Sequence, residues 1–178
     1  MPNELDADDA LHNPLSNPQR RHPRAKELLP HEEFFNVESD LAPFGSDEGW
    51  EAYQEWREWR AQNPHANLIE CISWILKGRV DLYTERLLAH DRIAKVAADC
   101  WAEEPGLEGW DAFTLDATIM ATALGQLLDE GRIHPEAKPF ARVAVERQSH
   151  SKIVASFGEH AAERQRFLAE VKRAIEMA

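Results

Sequence analysis

Four charged residues fall on helical faces that otherwise read as apolar: Arg57, Arg60, Asp116 and Arg147. Stepping about 100° per residue, Trp50, Tyr53, Trp56 and Trp59 share one aromatic arc of the segment 47–62. Arg57 and Arg60 lie inside that arc, while Glu51, Glu55 and Glu58 lie outside it. Over 112–130, Phe113, Met120, Ala123, Leu124 and Leu127 make an apolar stripe with Asp116 near its centre. Over 135–148, Phe140, Val143 and Ala144 make another, and Arg147 falls on it. An unpaired buried charge is too costly to survive, so these groups must pair or face a wet cleft. Arginine suits either fate, because its planar fork matches a carboxylate and stacks on Trp or Tyr. Two chemistries follow. One is a buried Asp116–Arg network that fixes helix register. The other is a cleft of aromatics and arginines that receives an anionic group or a partner's carboxylate.

A second candidate lies in the stretch LAPFGSDEGWE, residues 41–51. Pro43, Phe44 and Gly45 make a turn, and Ser46 or Asp47 caps the helix that follows. Asp47, Glu48 and Glu51 then stand where the helix dipole favours negative charge. Those carboxylates argue against a phosphate at this helix start. Glycine in a first turn costs helix stability, so Gly49 implies a close approach by another part of the fold or by a ligand. Asp47, Glu48, Trp50, Arg57, Trp59, Arg60, Asp116 and Arg147 are therefore the candidate binding residues.

The residues that usually carry catalysis show no such spacing. Eight histidines are present, but none forms HExxH, HxH or a repeated ExxH, so no metal site is expected. His22, His65 and His134 each stand at a helix start beside a proline, where capping or exposure accounts for them. Cys71 and Cys100 have no CxxC spacing and read as free, packed thiols. There is no GxSxG elbow and no glycine-rich phosphate loop. No catalytic residue and no cofactor is expected.

The elements that must position the candidates are helical. Residues 22–30 open a short helix after His22-Pro23, and HEEFFNVESDL reads as irregular, with Phe34, Phe35 and Val37 suited to a short extended piece. Helices are predicted over 47–62, 65–77 starting at Pro64, 82–103 as one or two pieces, 112–130 stopped by Gly131, 135–148 starting at His134-Pro135, 151–157 and 159–177. Residues 1–21 are polar, with prolines at 2, 14 and 18, and read as a flexible segment or a loosely docked arm. The expectation is a mainly α protein: one helical bundle of about six to eight helices over 22–178, with an irregular N-terminal segment.

Composition narrows the partners. The 178 residues hold 43% hydrophobic and 29% charged side chains, enough to bury a core. A formal charge of −12 repels nucleic-acid phosphate and favours a basic partner or plain solubility. The N-terminus lacks the apolar core of a signal peptide, and no run approaches the ~18 apolar residues of a membrane span. A cytoplasmic protein with neither membrane nor nucleic acid as partner is expected.

HPRAKELLP (22–30), DLAPFGSDEG (40–49), EWREWR (55–60), LIECISWIL (68–76) and FTLDATIMATALGQLLDEGRIHPEAKPF (113–140) together resemble the YfeS-like bacterial proteins, from about His22 to Gln148. Some members of that family look like fusions with a WGR domain, of which this sequence has no segment. The resemblance implies no activity. It does place the PFGSDEG loop, the Arg57/Arg60 helix and Asp116 within shared motifs. The functional expectation is a binding or interaction protein, regulatory or immunity-like toward a basic protein. The alternative is a small-molecule binder or enzyme built on Arg57, Arg60, Asp116 and Arg147.

Overall fold

Fifteen of the nineteen residues in one helix, Ala112–Glu130, are buried, so that helix must be surrounded rather than laid on a surface. The computed structural model describes residues 12–178, and this helix is its axis. In chain order the described α-helices are α1 (Pro23–Leu28), α2 (Asp47–Gln62), α3 (Leu68–Ile75), α4 (His90–Ala98), α5 (Ala112–Glu130), α6 (Lys138–Ser149), α7 (Ser151–Val154) and α8 (Ala161–Met177). Short 3-10 turns fill several of the connections. A single bridge between Glu103 and Asp111 is the only β pairing among the described residues. The mainly α, single-domain expectation is met.

α2 and α6 flank α5, α8 packs behind α6, and α1 and α3 close the remaining sides. The α2–α5 crossing is close because α5 carries glycine where α2 presses on it. A Cβ on Gly125 would stand 2.8 Å from Trp56 Cδ1 and 2.9 Å from Tyr53 Cδ2. Gly49 has a similar cause: a Cβ there would overlap the Pro43 carbonyl oxygen. The close approach expected at Gly49 is thus the chain's own turn, not a ligand. Ser46 caps α2, its Oγ accepting from Gly49 N at 3.1 Å.

Several boundaries differ from the sequence reading, each for a local reason. Pro64 does not start α3. Asn67 does, and the Glu70 carboxylate reaches back to the Asn67 N–H at 2.8 Å. Pro135 does not begin α6; Lys138 does, and Pro139, read in the sequence as interrupting or restarting this helix, sits in its first turn, where its missing N–H costs nothing. The Phe34-Phe35 stretch is a 3-10 turn over Glu32–Phe35 rather than an extended piece, with both rings buried. Residues 1–11 of the expected flexible segment lie outside the described residues. Asn13, Pro14, Leu15 and Arg21 pack against the domain, while Ser16 and residues 18–20 stay exposed. Arg21 is 3% exposed, forks onto Glu32 at 2.7 and 2.8 Å, and donates to the carbonyls of Pro14 and Leu15. Its guanidinium also lies 3.7 Å from the Phe35 ring centroid. The sequence order Asn13-Pro14-Leu15 looked polar and mobile, and only the folded position of Arg21 explains why it is not.

Most buried apolar side chains belong to one core around α5. A small separate cluster of Ile93, Val96, Ala112 and Ile153 lies under α4 and α7, with Cys100 packed against it.

Candidate functional site

Asp116 and Arg147 meet, as one of the two sequence readings required. Both side chains are fully buried. Arg147 donates from Nε to Asp116 Oδ2 at 2.8 Å and from Nη2 to Oδ1 at 2.7 Å. Asp116 also accepts from Tyr83 OH at 2.5 Å and from Gln148 Nε2 at 2.7 Å. The remaining arm of the guanidinium reaches Glu104 at 2.7 Å. Burial pushes the Asp116 carboxyl up, and Arg147, Gln148 and Tyr83 pull it back. Burial likewise opposes the charge on Arg147, but the Asp116 carboxylate more than reverses that and holds the guanidinium protonated. Every donor around Asp116 needs an acceptor, so the geometry holds the ion pair. Tyr83 stacks on Phe140 at 6.3 Å and 14°. It closes the network off from an outer cleft of about 690 Å³ beside Asp81, Thr84 and Pro139. At 2% exposure, Tyr83 leaves no path from that cleft to the ion pair.

Arg57 and Arg60 do not join this network. They lie near the C-terminal end of α5, some 20 Å from Asp116 at about 1.5 Å per residue. Arg60 pairs with Glu130 at 2.5 Å, donates to the carbonyls of Asn63 and Ala66, and covers the Trp56 ring at 4.9 Å. Arg57 lies 5.8 Å from the Tyr53 ring centroid and points Nη2 toward the His12 carbonyl. Both are half-buried rather than interior. The polar anchor at this end is Asp129, which accepts from Tyr53 OH at 2.8 Å and Trp56 Nε1 at 3.0 Å. Burial pushes its carboxyl up, with those two donors opposing the shift. Trp59 stacks on Trp56 at 6.1 Å, and Trp50 packs half-buried against the core. The four charges expected on three apolar helix faces therefore fall into two separate clusters.

Asp47 and Glu48 belong to a third place. They line a cleft of about 470 Å³ together with Asp40, Trp101, Phe113 and Phe157. Trp101 is 61% exposed, and its ring lies 5.2 Å from that of Phe113, tilted by 58°. Phe113 was expected in the core stripe of α5. It sits at the first turn, beyond the neighbouring helices, and is half-buried at the cleft wall. Asp40, Asp47 and Glu48 make no ion pair and no side-chain hydrogen bond among the described residues. On the inner side of Phe157 lies Arg164, 4% exposed, its guanidinium 5.2 Å from the ring centroid. Arg164 Nη1 donates to the Leu41 carbonyl at 2.9 Å, and no carboxylate among the described residues pairs with it. Burial alone holds its pKa down to about 10.

The helix-start signals pointed to Asp47 and Glu48, while periodicity marked Phe113 only as core and marked neither Trp101 nor Phe157. Trp101 and Phe157 lie in turns, where no helical period applies, and only their bulk in otherwise polar segments signalled them. Among the described residues no group of three histidine, cysteine or acidic side chains could hold a metal. None of the described helices is long and apolar enough to cross a membrane. The chain matches no family model, no curated protein and no solved structure.

Proposed function

We propose that the chain is a cytoplasmic α-helical binding protein whose acidic surface receives a basic protein partner. One observation carries the reading: three carboxylates without partners among the described residues border a cleft whose wall is an exposed tryptophan. The carboxylates withdrawn from solvent, Asp116, Asp129 and Glu130, are engaged by donors of the chain itself. The net charge of −12 adds long-range attraction for a cation. The competing reading, a small-molecule or catalytic site on Arg57, Arg60, Asp116 and Arg147, loses its support because those residues do not converge. The proposed kinship with YfeS-like proteins supplies no activity that would favour either reading.

Association with a polybasic peptide at about 10 mM and about 1 M salt tests the proposal, since the screening length falls from ~30 Å to ~3 Å between them. The expected result is an association rate that drops at least about tenfold over that range. A DNA duplex of equal length should not bind at either salt. A rate indifferent to salt, or no binding of the basic probe at low salt, would refute the proposal.

A further inference from the structure

We infer that the cleft formed by Asp40, Asp47, Glu48, Trp101, Phe113 and Phe157 takes a single arginine side chain of the partner, its guanidinium laid on Trp101 and forked onto the carboxylates. This rests on the proposed binding of a basic protein and names the group that is read.

The walls decide among cations. A quaternary or methylated ammonium is held by several aromatic faces around one charge. Here that cage is incomplete, because the guanidinium of Arg164 already lies against the Phe157 ring. A second cation there would compete for the same π density and be repelled by Arg164. The face that remains is that of Trp101, the aromatic that attracts cations best. Lysine brings a compact, strongly hydrated charge that gains little from a flat ring. Arginine brings a weakly hydrated plane that stacks and donates two parallel hydrogen bonds to a carboxylate. Asp47 and Glu48 are exposed or half-buried on the first turn of α2, with their acceptor oxygens unused. Phe113 and Cys100, half-buried in the cleft wall, provide an apolar surface for the arginine methylenes.

Two positive features oppose a cation here: the N-terminal dipole of α2, equivalent to about half a charge, and Arg164. Three unpaired carboxylates outweigh about one and a half positive charges, and they do so at the solvent side, where the guanidinium would lie. A cleft of about 470 Å³ is at the small end of ligand sites, which suits one long side chain rather than a folded segment.

The test uses the full chain and four probes: three blocked tetrapeptides identical except for one arginine, lysine or citrulline, and tetramethylammonium. The readout is the Trp101 indole NMR signal, assigned with Trp101→Phe. The arginine peptide should shift that signal and bind at least about tenfold more tightly than the lysine peptide. Citrulline and tetramethylammonium should leave it unmoved. Trp101→Ala and the double variant Asp47→Asn/Glu48→Gln should each weaken the arginine peptide by about tenfold or more. Because these side chains lie at the surface, the Trp101→Ala melt should match wild type in urea, and the double variant should lose only the small helix-dipole share of two first-turn carboxylates. Equal binding of lysine, preference for tetramethylammonium, or no arginine-specific shift at millimolar peptide would overturn the inference. If a polybasic peptide still bound in a salt-dependent way, the broader proposal would survive that result. If it did not, both would fall.

Discussion

Replacing the buried arginines Arg147 and Arg164 with methionine should give different outcomes. Arg147 is fully buried and makes charged hydrogen bonds to both Asp116 and Glu104. Arg147→Met keeps much of the volume but strands the charge of the fully buried Asp116 carboxylate and leaves Glu104, at 5% exposure, with only Arg92 3.7 Å away. Breaking a buried pair from one side costs ~3–5 kcal/mol, so a loss in that range is expected. Arg164 is nearly as buried but has no carboxylate. A pKa held down to about 10 corresponds to ~3 kcal/mol against its charged form. Against this stand one charged hydrogen bond to the Leu41 carbonyl, worth ~1.5–3 kcal/mol, and the Phe157 contact, worth ~0.5–2 kcal/mol. The terms nearly cancel, so Arg164→Met should change stability by no more than ~1 kcal/mol in either direction. Urea unfolding followed by tryptophan fluorescence measures both, with the slope m checked for constancy. The sign with pH is also fixed. The folded protein releases the Arg164 proton before the unfolded chain does, so between pH 10 and the ordinary arginine range wild type should gain stability relative to Arg164→Met. Losses above ~3 kcal/mol for both variants, or a tolerated Arg147→Met, would refute the reasoning.

Gly125→Ala should cost ~1–3 kcal/mol by overpacking, because its Cβ would press on Trp56 and Tyr53 at the α2–α5 crossing; thermal unfolding reads this directly. Asp129→Asn should destabilise the fold, since its amide cannot accept from both Tyr53 and Trp56. The Asp129 carboxyl is raised in the folded state by burial. The stability tied to its protonation is therefore present in acid and lost as pH rises through the folded value. The gap between wild type and Asp129→Asn should thus narrow from acid toward neutral pH, and a widening gap would contradict the assignment. Iodoacetamide at pH 8 should modify Cys100 before Cys71. Burial pushes the Cys71 thiol up to about 12, whereas Cys100 is only half-buried. Cys71 should react only on unfolding, and peptide mass mapping over time distinguishes the order.

The helices were legible because their signals are local. Ser46, Gly131 and the apolar spacing of 112–130 each act within a few residues. Asp116 and Arg147 were legible as a conflict between charge and apolar face. That conflict can be read one helix at a time, and only one partner can resolve it. The partner's identity could not be read so simply. Arg57, Arg60 and Arg147 all qualified by periodicity, and the choice among them depends on how α2 and α6 lie along α5. Tyr83, Glu104 and Gln148 complete the network from turns and from the next position on α6, where no pattern marks them. The cleft was least legible, since three of its walls come from the first turn of α5, the 99–101 turn and the segment after α7. Arg21 was read as part of a polar arm because nothing within that arm reveals the Glu32 and Phe35 that receive it.

The two polar anchors of α5 have a consequence for how the bundle can go wrong. Asp116 is indexed to Arg147 on α6, and Asp129 is indexed to Tyr53 and Trp56 on α2, some 20 Å further along at about 1.5 Å per residue. A long apolar helix rich in alanine and leucine could otherwise slide by a turn, ~5.4 Å, and still find greasy neighbours. Here a slip against α6 strands a buried ion pair, and a slip against α2 strands a second carboxylate at the other end. Mispacked, collapsed states are therefore penalised from two independent directions. The same sequence that makes α5 uniformly buried also makes its depth and rotation unambiguous.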